Sequence, residues 1–166
     1  LNYTASRSDD TSGRYQLQAK TESEVILLPS PPIPPIVQER YQQITKHSFF
    51  SLLSNKSHFL LALDSQIEYF DADSTIFQMG DPSDSIFILL EGVVAVQTTE
   101  RNIPLSTGAI FGEMGFLSGS PRNAAIKAET KISLLRIPSH SLHLCIQLDN
   151  SLNKSLEQLA SSREQA

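Results

Sequence analysis

Only one cysteine, Cys145, occurs in this chain of 166 residues. That excludes an internal disulfide framework and a CxxC metal site, and it suits a reducing compartment. Basic charge is also scarce. The chain has 13 Lys and Arg against 18 Asp and Glu, a net charge of −5, and between Lys56 and Arg101 it has eight acids and no Lys or Arg. A general nucleic-acid or anionic-membrane binder needs a basic surface, so no nucleic acid is expected as a partner. No apolar run approaches the roughly 20 residues that span a bilayer, and no signal-peptide pattern opens the chain. GxxxxGK[ST], GxSxG and HExxH are missing, and no catalytic constellation is legible, so the chain is not expected to be an enzyme. Opening on Leu1 rather than Met, it reads as part of a longer protein. The length suffices for one domain with a sizeable core.

What is present is unevenly distributed. All eight Phe lie from Phe49 to Phe116, and six of the seven Gly from Gly80 to Gly119. Residues 1–38 read as a disordered, Pro-rich N-terminal linker: a Ser/Thr/Asp/Gln-rich start without apolar periodicity, then Pro29-Ser30-Pro31-Pro32-Ile33-Pro34-Pro35, which favours polyproline II. Its PxxP spacings could dock on an aromatic groove, but no basic residue lies beside them, which favours a stiff linker. Residues 39–64 have helical apolar spacing (Ile44, Phe49, Phe50, Leu52, Leu53, Phe59 to Leu61, Leu63) and predict two helices that break near Ser54-Asn55-Lys56.

Over 65–138 the period changes to two. The strand candidates are Ile67–Phe70, Thr75–Gln78, Ser85–Leu90, Val93–Thr98, Ile103–Leu105, Ala109–Phe111, Asn123–Ala128 and Lys131–Ile137. Gly80-Asp81-Pro82-Ser83-Asp84 is a turn, and Glu91-Gly92 reads as a hairpin. Short strands with turns every 8–12 residues indicate a sandwich or barrel. Residues 139–160 return to helical spacing, and 161–166 read as a tail. The fold class expected is mainly β with flanking helices: helix, small antiparallel β-roll, helix.

One stretch, Phe111 to Ile126, differs from ordinary strand filler: Phe111-Gly112-Glu113-Met114-Gly115-Phe116-Leu117-Ser118-Gly119-Ser120-Pro121-Arg122-Asn123-Ala124-Ala125-Ile126. Three glycines and a proline leave room for a short helical turn and a loop between two strands. Small residues let a ligand approach the backbone, and amides at a helix start attract anions. The Arg122 fork suits a phosphate or carboxylate, and the Glu113 carboxylate accepts from hydroxyls. Together they suit something both anionic and hydroxylated, such as a phosphosugar.

At Phe111-Gly112-Glu113 through Pro121-Arg122-x-Ala124 the sequence resembles the phosphate-binding cassette of cyclic nucleotide-binding domains. That fold is shared by the catabolite activator protein, regulatory subunits of cAMP-dependent protein kinase and nucleotide-gated channels. Ile76 to Gly92 is similar to the family's strand, Gly-Asp turn, strand and Gly turn, and Leu134 to Pro138 to its last strand. The resemblance covers residue 47 to about 160. It implies a double-stranded β-helix, or jelly roll, with cAMP or cGMP as ligand and no further cofactor. It implies Glu113 at the ribose 2′-OH and Arg122 at the cyclic phosphate, with amides around Gly115, Phe116 and Ala124 adding hydrogen bonds. Gly112 would allow close approach, and Met114, Pro121 and Asn123 complete the candidate ligand-binding set. Val94, Val96 and Ile110 are candidates to face the purine. The C-terminal helix, within 139–160, would serve as a hinged lid.

Three positions depart from the family pattern. Asn123 stands where Ala or Thr is frequent, Ala125 where Thr or Ser is, and Gly115 in place of a common Ala, which should loosen the short helix. The resulting expectation is a regulatory module that binds a cyclic nucleotide and signals to an attached effector, a membrane transporter or channel. It would lie on the cytoplasmic side and homodimerisation would be open to it. The alternative is a degenerate, ligand-free fold used for protein interaction or dimerisation. Residues 117–124 also resemble the cassette of some SulP-type sulfate transporters. His140 and His143, at i and i+3 with no third ligand, read as a solvated helix face. Cys145, two residues from His143, does not face it on a helix, which argues against a Cys/His nucleophile. A cupin-type metal site needs HxH on a strand, and no strand candidate holds a histidine.

Overall fold

Two strands, β5 (Ser85–Glu91) and β10 (Ile132–Pro138), are nearly continuous apolar runs because both of their faces are buried. In β5 the alternate residues Ile86 and Ile88 belong to one hydrophobic cluster, Phe87 and Leu89 to another. Likewise Leu135 and Ile137 of β10 fall in the first, Ile132 and Leu134 in the second. The first cluster joins the strands to the helices; the second fills the space between the sheets. Each such side chain contributes roughly 1.5–3 kcal/mol of burial.

The computed structural model describes residues 2–7, 15–20 and 32–164, in two units, 1–33 and 34–166. In the first unit, β1 (Asn2–Arg7) and β2 (Tyr15–Lys20) pair antiparallel, with Asn2 opposite Lys20. This differs from the disorder expected across 1–38. The alternation in Tyr15-Gln16-Leu17-Gln18-Ala19 has the period of a strand. Pro29 and Pro31 of the PxxP run lie outside the described residues.

The second unit opens with α1 (Pro35–Lys46), inside the expected linker: Pro34 is extended and Pro35 takes the first helical position, where its missing N–H costs nothing. Helix α2 (Asn55–Asp64) follows, capped by Ser54, whose side chain accepts from the Ser57 amide at 3.2 Å. The helical reading of Phe49 to Leu53 fails. Lys46 ends α1, His47 Nδ1 accepts from the Phe49 amide, and the connecting turns bury Phe50 and Leu53 while Leu52 stays 88% exposed.

The roll consists of two four-stranded antiparallel sheets. One has the order β3 (Gln66–Phe70), β10, β5, β8 (Ile110–Phe111). The other has the order β4 (Thr75–Phe77), β9 (Ala125–Ala128), β6 (Val93–Gln97), β7 (Asn102–Ser106). Glu91-Gly92 is therefore not a hairpin: β5 and β6 belong to different sheets, and the chain turns a corner between them. Pro104 is tolerated because β7 is an edge strand. Between β8 and β9 lies α3 (Glu113–Ser118). Helices α4 (Ser139–Leu148) and α5 (Ser151–Glu164) close the unit, and α5 runs through most of the expected tail.

Candidate functional site

The chain leaves β8 through Gly112, in the left-handed region at φ 86°, and enters the six-residue helix α3. A side chain at 112 would be strained by that φ, and its Cβ would lie 2.7 Å from Arg122 Nη1. Gly112 and Arg122 are thus fitted to each other. At Gly115 a Cβ would meet Ser83 Oγ at 2.0 Å, and that hydroxyl donates to the Ser120 carbonyl at 2.7 Å. The glycine found in place of the common alanine makes room for Ser83, which ties the cassette loop to the turn before β5.

Main-chain bonds pin Arg122. Its N–H donates to the Asp81 carbonyl and its carbonyl accepts from Gly80 N–H, both at 2.8 Å. Its side chain is 3% exposed. Nη1 donates to the Gly112 carbonyl at 2.9 Å and Nη2 to the Ser85 carbonyl at 2.7 Å. The guanidinium carbon lies 4.3 Å from the Phe77 ring centre, a favourable cation–π contact. Burial pushes the Arg122 pKa down and the Asp84 carboxylate at 4.0 Å counters this; the guanidinium remains a cation. Its Nε–H is buried and has no partner among the described residues.

Behind Arg122 lies a group that sequence reasoning did not place in the site. Arg136 Nη2 donates to both Asp84 carboxylate oxygens (3.1 and 3.2 Å), its Nε to Ser85 Oγ at 3.1 Å, and Ser85 Oγ–H to Asp84 Oδ1 at 2.8 Å. Burial raises the Asp84 pKa, but the Ser85 hydroxyl and the Arg136 guanidinium outweigh it and hold the carboxyl below its ordinary value. These residues come from the turn before β5, the start of β5 and β10, so only their meeting in space reveals the network.

A cavity of about 410 Å³ opens beside Arg122, within the range of small-molecule sites. Phe77, Val96, Ile103, Leu105, Phe111 and Ile126 form its apolar walls, and the turn between β6 and β7 brings Thr98, Glu100 and Arg101. Of the candidate set, Gly112, Glu113, Met114, Gly115, Arg122, Asn123 and Ala124 line it; Phe116 and Pro121 do not. Phe116 is buried against His143, with ring centres 4.7 Å apart, and Pro121 lines the outer surface of the loop. Of the purine-facing candidates Val96 is in the wall, whereas Val94 is buried in the core and Ile110 stands outside the lining.

Glu113 is 1% exposed, and its Oε1 accepts from Arg163 Nη1 at 2.6 Å. Arg163, near the end of α5, also donates from Nη2 to the Ile110 carbonyl. Nothing in the local sequence marks Arg163, which sits in the expected tail. His140 pairs with Asp64 at 3.2 Å. Cys145 is fully buried, its thiol pushed up to about 11 by burial.

A family model described as the cyclic nucleotide-binding domain matches residues 67–149, half of the chain. The chain belongs to the cyclic nucleotide-binding domain family. It is 43% identical over 68 residues to a cyclic nucleotide-gated potassium channel of Mesorhizobium japonicum, a match covering 41% of this chain and 19% of the channel. A second such channel, of Rhizobium etli, is 39% identical over 66 residues, covering 40% and 19%. This cyclic nucleotide-binding domain thus matches about a fifth of the length of those relatives. The likeness of residues 117–124 to sulfate transporters finds no support in them.

Solved structures share the fold of the domain. One is a cyclic nucleotide-binding protein of Geobacter metallireducens (TM-score 0.63, 21% identity, covering 73% of this chain and 92% of that one). Another is the regulatory domain of a protein kinase A from Toxoplasma gondii with cAMP (TM-score 0.67, 14% identity, covering 79% and 51%). The jelly roll and its flanking helices stand as expected. No helix among the described residues is long and apolar enough to cross a membrane.

Proposed function

We propose that this domain binds cAMP or cGMP in the 410 Å³ cavity and passes occupancy to an attached effector, in the manner of a channel's cytoplasmic regulatory domain, without catalysing a reaction and without a further cofactor. The observation that carries this reading is Arg122, a buried cation lining the cavity with one N–H unpartnered among the described residues. A buried donor without a partner costs about 1–3 kcal/mol, and an anionic phosphate oxygen is the acceptor that removes that cost best. Glu113 supplies an acceptor for a sugar hydroxyl, and the apolar walls suit a purine. Occupancy acts on the effector only through different affinities for two arrangements of the C-terminal helices.

A second reading has its own observation. Both terminal nitrogens of Arg122 and one oxygen of Glu113 are satisfied by the protein itself, which suits a ligand-free interaction or dimerisation module. Calorimetry with both nucleotides separates the two. The first reading expects saturable heat, weakened about 10- to 150-fold in Arg122→Ala, the loss of a charged hydrogen bond worth roughly 1.5–3 kcal/mol. No heat and no thermal shift at millimolar nucleotide would establish the second.

A further inference from the structure

Glu113, the residue suited to a sugar hydroxyl, is occupied by the chain's own C-terminal helix. Arg163 donates to Glu113 Oε1 at 2.6 Å and to the Ile110 carbonyl, and Glu113 is 1% exposed. A ligand hydroxyl can take Glu113 Oε1 only by displacing Arg163. The Arg163 side chain, 28% exposed, borders the cavity and solvent, where it can leave without breaking the core.

The rest of α5 is anchored differently. Leu152 and Leu156 are fully buried, and Arg163 lies seven residues beyond Leu156, two turns along the same helix face. The last turn is held to the roll by the two bonds of Arg163, beyond an apolar anchor of Leu152, Leu156 and the partly buried Leu159.

We infer that Arg163 is an intramolecular competitor of the nucleotide. It ties the last turn of α5 to Glu113 when no nucleotide is bound, and nucleotide binding releases it. The inference rests on the nucleotide-binding reading and reverses the sign of a closing lid: docking of the helix end opposes the ligand. Reciprocity follows, since whatever factor the docked helix removes from nucleotide affinity, bound nucleotide removes from helix docking. The signal leaving the domain is then a freed last turn of α5.

The test is a titration of wild type, Arg163→Ala, Arg163→Gln and Arg163→Lys with cAMP and cGMP, paired with hydrogen exchange of residues 157–164. Thermal melts confirm that each variant is folded; Gln keeps a donor for Glu113 if Ala destabilises the fold. The Ala and Gln variants should bind about tenfold tighter, within the range of allosteric couplings, and Lys should resemble wild type. Saturating nucleotide should speed exchange in the last turn of wild-type α5. Unchanged or weaker binding by the folded Ala and Gln variants, or slower exchange on binding, would overturn the competitor while leaving nucleotide binding intact. Silence of wild type and all variants to millimolar nucleotide would overturn the binding reading and the competitor with it.

Discussion

Arg122 and Arg163 both reach the same cavity, and they are held in opposite ways. Arg122 has its backbone bonded to Gly80 and Asp81, its terminal nitrogens bonded to the Gly112 and Ser85 carbonyls, and a phenylalanine ring against its face. Main chain cannot move away one group at a time, so this arginine is fixed when the fold forms. Arg163 stands at the frayable end of a helix, tied to one carboxylate and one carbonyl. A fixed cation can be a binding determinant; a releasable one can report whether the site is filled. The difference lies in how much structure must break to move each group.

The largest effect should come from the anchor of the releasable side. Leu156 is fully buried, and Leu156→Ala should lower stability by about 2–5 kcal/mol in urea unfolding, the usual range for such truncations. If α5 is the separately anchored region described above, nucleotide binding should survive this change under conditions where the domain stays folded. Loss of binding in the folded variant would erase the distinction between the two regions.

On the fixed side, Gly115→Ala should cost about 1–3 kcal/mol, because the new methyl meets Ser83 Oγ at 2.0 Å. Ser83→Gly introduced with it should recover much of that loss. Thermal melts of the single and double variants check this, and full additivity would mean that the contact does not shape the cassette.

The smallest effect concerns α4, between the two regions. Burial raises the Cys145 thiol from an ordinary 9.0 to about 11. The folded state holds that proton more tightly than the unfolded chain, so the contribution is complete below pH 9 and lost as pH rises toward 11. Unfolding free energy should fall across that window in wild type, with a shallower fall in Cys145→Ala. An aromatic disulfide reagent should leave the native thiol unmodified at pH 8; rapid reaction would show that α4 opens as readily as the end of α5.

Much of this was readable in advance where residues act through their neighbours in sequence. The strand positions followed from apolar period and turn residues, and the cassette was visible as Gly112-Glu113 and Arg122 because a glycine-bounded turn places them locally. Two of the misreadings share one cause. Phe49 to Leu53 has helical spacing, yet Phe50 is buried from a turn. Glu91-Gly92 has hairpin chemistry, yet the strands it joins pair with others. In both, distant partners decided between locally equivalent options.

The amino-acid order by itself determined the period of each element, the place of the turns and the residue types available to an anion and a hydroxyl, since these depend on backbone sterics and near neighbours. Only the tertiary structure decided that the Glu113 carboxylate meets a guanidinium 50 residues away, that Asp84, Ser85 and Arg136 stand behind Arg122, and that Ser83 fills the space a methyl at 115 would need. Side-chain pairing across the molecule depends on how sheets and helices pack, and no local pattern encodes that distance.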